Sequence, residues 1–142
     1  MTATFKYLTS LLFVAIVVQV GMAGVGAFNA IDKADKDHTI TKKQIEDGYG
    51  PHGLFGMVVF ALIILVLIFA FLAKADSLMK RLAVGLVVLG ALQAVFAFLA
   101  TKNAAFGFLH GINALALYAA VALLAHRAWT RKTAESPPST AV

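Results

Sequence analysis

The chain has no cysteine, so disulfides, thiolate metal centres and a cysteine nucleophile are excluded at the outset. Charge is nearly as scarce. Asp, Glu, Lys and Arg make up 13% of the 142 residues, about half the share a soluble domain carries. They are missing altogether from four long runs, at 7–30, 52–73, 82–100 and 104–125. A soluble helical bundle needs a polar stripe along each helix, and these runs have none. Each is close to the roughly 20 apolar residues that cross a bilayer. What fills the chain instead is 61% hydrophobic residues, with a mean hydropathy of +0.86. These features imply an all-α membrane fold: a four-helix transmembrane bundle of two tandem hairpins, forming one domain over residues 1–132.

The first run could serve as a cleaved signal peptide, with Lys6 as a thin basic region and small residues around Phe28. It is longer than a usual signal core, and Gly21, Gly24 and Gly26 are spaced as helix-packing positions, which favours a retained helix. With four spans both termini lie on one side. Placing them in the cytoplasm puts Lys6, Lys74, Lys80, Arg81, Arg127, Arg131 and Lys132 inside and five lysines outside, the bias expected of cytoplasmic loops. Trp129 and Tyr49 then suit the inner and outer interfaces. The net charge of +5 follows from topology and attraction to anionic lipid, with no nucleic acid needed. The expected location is the bacterial cytoplasmic membrane.

Residues 31–50 read as an outer loop. Within it Thr41-Lys42-Lys43-Gln44 forms a capping box, with Ile40 and Ile45 as a hydrophobic staple. That predicts a short interfacial helix from Lys42 to about Asp47, stopped by Gly48 and turned by Gly50-Pro51. Asp35, Asp37 and Glu46 do not make a calcium loop, because Ile40 stands where the turn needs glycine. The tail at 133–142, with Pro137-Pro138, reads as disordered. His38 and His126 read as ordinary solvated or interfacial residues.

Away from the span ends, the strongly polar side chains reduce to Gln19, Gln93, His110 and Asn113, with His52 at the mouth of the second span. All five fall in the outer half of the membrane, where a polar group needs a partner. His110 and Asn113 share a helix face by their three-residue spacing. A short repeat accompanies them. His52-Gly53-Leu54-Phe55-Gly56 matches His110-Gly111-Ile112-Asn113-Ala114, and each follows a helix that carries a glutamine.

Val18-Gln19 leading to Gly26-Ala27-Phe28, His52 with Gly56, Leu92-Gln93, and Leu109-His110 with Asn113-Ala114-Leu115 together carry a family likeness. The chain resembles a family of small four-helix bacterial integral membrane proteins of unknown function. The resemblance implies the fold and assigns no activity.

Two functions compete for the five residues. In one, His52 and His110 are axial ligands of a b-type haem in electron transfer, with Gly53, Gly56, Gly107 and Gly111 giving clearance and Gln19, Gln93 and Asn113 in support. In the other the protein is a non-catalytic accessory or partner subunit, or a homo-oligomer, and the same residues are interhelical hydrogen-bond groups. Depth favours the second. His52 lies about 33 Å above Lys74, whereas His110 lies about 25 Å above Arg127, counted along each helix at 1.5 Å per residue. Two histidines alone are too few for a zinc site. No intramembrane carboxylate supports proton transport. Thr9 and Ser10, at the opposite end, complete no hydrolytic set, so no catalytic residue is assigned.

Overall fold

The computed structural model describes residues 2–37 and 39–131. It contains α1 (Ala3–Asp37), α2 (Lys42–Leu72), α3 (Ser77–Ala100) and α4 (Ala104–Thr130). All four helices are long and apolar enough to cross a membrane. Each packs on two neighbours in the ring α1–α2–α3–α4, most closely within the hairpins α1–α2 and α3–α4. Helices α1 and α3, and likewise α2 and α4, therefore face each other across the diagonal.

The core follows a strict alternation of four- and three-residue steps. Phe5, Thr9, Leu12 and Ile16 are buried on α1, and Val59, Ile63, Val66 and Ala70 on α2. Met79, Ala83, Leu86 and Gly90 do the same on α3, as do Leu117, Val121, Leu124 and Ala128 on α4. This is the seam of a left-handed bundle, in which each side chain inserts between residues of a neighbour. Carried onward at the same spacing, the seam reaches Gln19 on α1, Gly56 and His52 on α2, Gln93 on α3, and His110 on α4. The apolar core thus occupies one end of the bundle, and the polar residues stand on its axis at the other.

The turn at the core end is defined by hydrogen bonds. Lys74 takes a left-handed φ of 47°. Its N–H reaches the Phe71 carbonyl and the Ala75 N–H reaches Ala70, both at 3.0 Å, as in a Schellman stop. Asp76 follows at once as N-cap of α3 and accepts from the Met79 N–H at 2.8 Å. Arg127 of α4 and its C-cap Arg131 reach the same carboxylate at 3.1 and 2.6 Å. Beside them, Trp129 donates to Ser10 at 2.8 Å and meets Tyr7 edge-on.

At the histidine end the structure departs from the sequence expectation. The capping box forms, with Thr41 and Gln44 exchanging side chain–backbone bonds. The helix it opens does not stop at Asp47, but runs through Gly48, Gly50 and Pro51 as one element to Leu72. Helix α1 likewise continues to Asp37, so most of 31–50 is helical rather than loop. The reason is water. An overhanging helix needs no apolar face, and it gains from pairs such as Asp32–Lys36 at 2.8 Å and Lys42–Glu46 at 3.4 Å. Gly26 and Gly48 bring the two backbones together: a Cβ on Gly26 would stand 3.0 Å from the Gly48 carbonyl oxygen. His38, Lys132 and the tail at 133–142 lie outside the described residues.

Candidate functional site: two glutamine–histidine clasps

Each hairpin carries one reciprocal clasp. On α1–α2, the Gln19 amide donates to the His52 carbonyl at 2.8 Å, and His52 Nδ1 lies 3.0 Å from the Gln19 carbonyl oxygen. On α3–α4, Gln93 donates to the His110 carbonyl at 3.1 Å, and His110 Nδ1 lies 3.1 Å from the Gln93 carbonyl oxygen. A carbonyl only accepts, so Nδ1 must carry the proton in both rings. In the neutral imidazole Nε2 is then the base. Gln19 Nε2 lies 3.3 Å from one Nε2 and Gln93 Nε2 lies 2.9 Å from the other. A backbone acceptor on Nδ1 orients each ring as in histidine metal ligands, while each Nε2 accepts from its glutamine amide.

The clasps hold the rings near the axis. His52 and His110, on diagonal helices, have ring centres 6.3 Å apart with planes inclined at 64°. Ring centres 6.3 Å apart are closer than the full offset in depth expected from the sequence. Arg131 as well as Arg127 reaches Asp76 beside the α2–α3 turn.

Two clefts of about 300 Å³ each flank the pair. One is lined by Val20 and Ala23 of α1 with Gly111 and Ala114 of α4. The other is lined by Gly53 and Met57 of α2 with Ala94 and Ala97 of α3. Gln19, His52, Gly56, Phe60, Gly90, Gln93 and His110 border both. The two clefts therefore adjoin the same histidine pair from opposite sides and are together called the slot.

The glycines divide by role. Added Cβ atoms on Gly53 and Gly111 would meet nothing within 4 Å, so both leave open space in the slot. Gly56 makes room for the glutamine, since a Cβ there would stand 3.1 Å from Gln19 Nε2. Gly107, expected to provide clearance, borders neither cleft and faces Ala100. Gly90 was not anticipated. It is buried, and a Cβ would lie 2.9 Å from the Phe60 ring, so it sets how closely α2 and α3 approach below the slot. Its one sequence signal is its place three residues before Gln93.

Asn113 is buried and belongs to one clasp alone. It donates to the Leu89 carbonyl at 2.8 Å and to Gln93 Oε1. Gln19 Oε1 is buried with no partner, because the repeat places Phe55 where the other half has Asn113. Tyr49 meets His52 edge-on at 6.5 Å. His126 is exposed at the opposite end. Among the described residues no three His, Asp or Glu side chains gather as a metal site, so the histidine pair offers two protein ligands and no more.

Comparison with known proteins adds a family and no activity. The pattern of a family described as "Family of unknown function (DUF6220)" matches residues 19–102. The chain belongs to that family. The matched stretch begins at Gln19 and includes His52 and Gln93, while His110 and Asn113 lie beyond it. Neither the curated proteins nor the solved structures contain a match.

Proposed function

We propose that this DUF6220 protein is a b-type haem protein of the membrane, with His52 and His110 as axial ligands and a role in electron transfer. One observation carries the reading: two Nδ1-anchored imidazoles on diagonal helices have ring centres 6.3 Å apart, and each Nε2 would exchange its glutamine amide for the iron. Two imidazoles on one metal, with bonds of about 2.0 Å and roughly 1.1 Å from nitrogen to ring centre, have centres about 6 Å apart. A cleft of about 300 Å³ lies on either side of the pair. The ligand count points the same way. Two histidines are too few for a bare ion, whereas a porphyrin brings four nitrogens of its own.

The competing reading, an accessory subunit in which the clasps serve as hydrogen-bond glue, accounts for less. Both clasps lie within hairpins that are already closely packed. Neither ties one hairpin to the other, where glue would be needed. The partner role itself is compatible with haem, since a single-haem bundle must exchange electrons with another redox protein. Lipid is the other partner.

The test is optical. Protein purified in mild detergent from haem-replete cells shows a Soret band, and sharp α and β bands on reduction. A colourless preparation that leaves added haemin unbound overturns the proposal and returns the clasps to structural glue.

The orientation forms part of the same reading. Among the described residues six Lys and Arg stand at the Asp76 end against five at the histidine end, a bias that favours both termini in the cytoplasm and the haem toward the outer leaflet of a bacterial cytoplasmic membrane. The cysteine-free chain makes this simple to measure. An impermeant thiol reagent applied to intact cells labels Lys36→Cys and spares Ala134→Cys. The opposite pattern inverts the topology.

A further inference from the structure

Tyr118 takes no part in the clasps, and its place in the bundle needs a reason. It stands nine residues from Arg127 and fourteen from the start of α4, about 14 Å and about 21 Å along the helix. That is close to the midplane of a hydrocarbon core about 30 Å thick, whereas tyrosine ordinarily rests at the two interfaces. The side chain is 41% exposed, and at this depth the exposure is to lipid. Its ring packs on Phe13 of α1, with centroids 5.3 Å apart and planes inclined at 37°. Among the described residues no group hydrogen-bonds to its hydroxyl, and an unpaired hydroxyl in hydrocarbon is costly. Above this pair the α1–α4 cleft begins. Ala114 and Leu115 lie one turn up the same face of α4, Ile16 lies one turn above Phe13 on α1, and all three line the cleft. Leu115 and Val20 at its edge are exposed, so the cleft opens sideways to the bilayer with Phe13 and Tyr118 as its sill. The α2–α3 cleft is bordered instead by Met57, Ala94 and Ala97, and by no hydroxyl-bearing residue.

We infer that the α1–α4 groove binds a lipid-soluble quinone, one of whose carbonyls accepts from the Tyr118 hydroxyl while the ring lies at the foot of the cleft beside Ile16 and Leu115. The hydroxyl needs an acceptor that reaches the midplane. Ester carbonyls of the lipids stay at the edge of the hydrocarbon, about 15 Å away, and an acyl chain carries no acceptor. A flat ring with carbonyls and an apolar tail dissolves in the bilayer, enters sideways between two helices and brings the acceptor with it. The site goes beyond the haem reading and does not depend on it, since no atom of either clasp takes part. Tyr118 is eight residues down α4 from His110, about 12 Å. A quinone there sits below the histidine pair, a lipid-borne electron carrier beside the proposed haem.

A photoreactive azido-quinone is the probe, applied to the full chain in liposomes with decylubiquinone as competitor. It labels α1 and α4 around Phe13 and Tyr118, and the competitor protects them. Tyr118→Phe removes the hydroxyl and keeps the ring on Phe13. It raises the competitor concentration needed for half protection about three- to tenfold, the factor that one membrane hydrogen bond provides. Leu115→Trp fills the foot of the cleft and abolishes the labelling, whereas Met57→Trp in the α2–α3 cleft leaves it unchanged. Protection that Tyr118→Phe does not alter, or labelling confined to α2 and α3, overturns the inference. So does a Tyr118→Phe protein that binds quinone as before but forms a smaller particle in detergent, because a second copy of the chain then meets the hydroxyl. Quinone binding by a colourless preparation that leaves haemin unbound upholds this site and overturns the haem reading. A haem-loaded protein that the azido-quinone does not label does the reverse.

Discussion

His110→Ala and His52→Ala are each expected to lower the haem content of the purified protein, since each removes one of the two imidazoles beside the slot. Loss of an outer-shell partner alone commonly lowers metal affinity 10- to 100-fold, so loss of a ligand itself should exceed that. Haem per protein, measured by pyridine haemochrome against total protein, gives the comparison. A second pair of variants separates a cofactor slot from structural glue. Gly53→Phe and Gly111→Phe introduce large rings where a Cβ meets nothing within 4 Å. Both should leave the bundle folded, and both should exclude haem. If haem content is unchanged in His110→Ala or in the filled-slot variants, the slot is not where haem sits.

What could be read from the sequence follows from what each signal depends on. The four spans were legible because lipid demands apolar residues over a fixed length, and no charge interrupts the runs. The capping box was legible because it is local: Thr41 and Gln44 satisfy each other within one turn. The extension of α1 and α2 beyond the membrane was not. There the charged residues of 31–37 and 42–47 looked like a loop, and Gly48 and Pro51 looked like breakers. The packing seam was also hidden. Helices that are apolar all round carry no contrast between core and lipid faces, so the four–three alternation through Val59, Ile63, Val66 and Ala70 shows only once burial is known.

The site was half legible. That Gln19, His52, Gln93, His110 and Asn113 fall in the same half of the bundle came from counting residues, and the repeat of histidine–glycine pairs came from comparison of the spans. The pairing of each glutamine with its own hairpin's histidine required the helix rotations, which hydrophobicity does not encode here. Asp76 was passed over because only basic residues enter the topology rule, although an Asp immediately before an apolar helix is an N-cap signal.

Asp76 is accordingly a polar residue outside the slot whose loss should be felt through two helices. Its carboxylate caps α3 through the Met79 N–H and receives Arg127 and Arg131 from α4, so it joins the second turn to the end of the chain's last helix. Burial pushes its carboxyl group up, but the Met79 N–H and the two guanidiniums together outweigh it and hold the group below its ordinary 3.8. Asp76→Ala removes the cap and both pairs and should cost about 2 kcal/mol, roughly 1 from the cap and the rest from two half-exposed ion pairs. Asp76→Asn keeps a good cap and loses only the charge, so it should cost about half as much. The sign with pH follows from the lowered value. The ionic contribution is complete above about 3.8, the unfolded carboxyl's range, and is lost as pH falls through the lower folded value. Thermal unfolding in detergent should therefore separate wild type from Asp76→Asn at neutral pH, with the gap closing only in acid below that range. A gap that persists undiminished in strong acid would mean that the arginines do not stabilise the fold through the Asp76 charge.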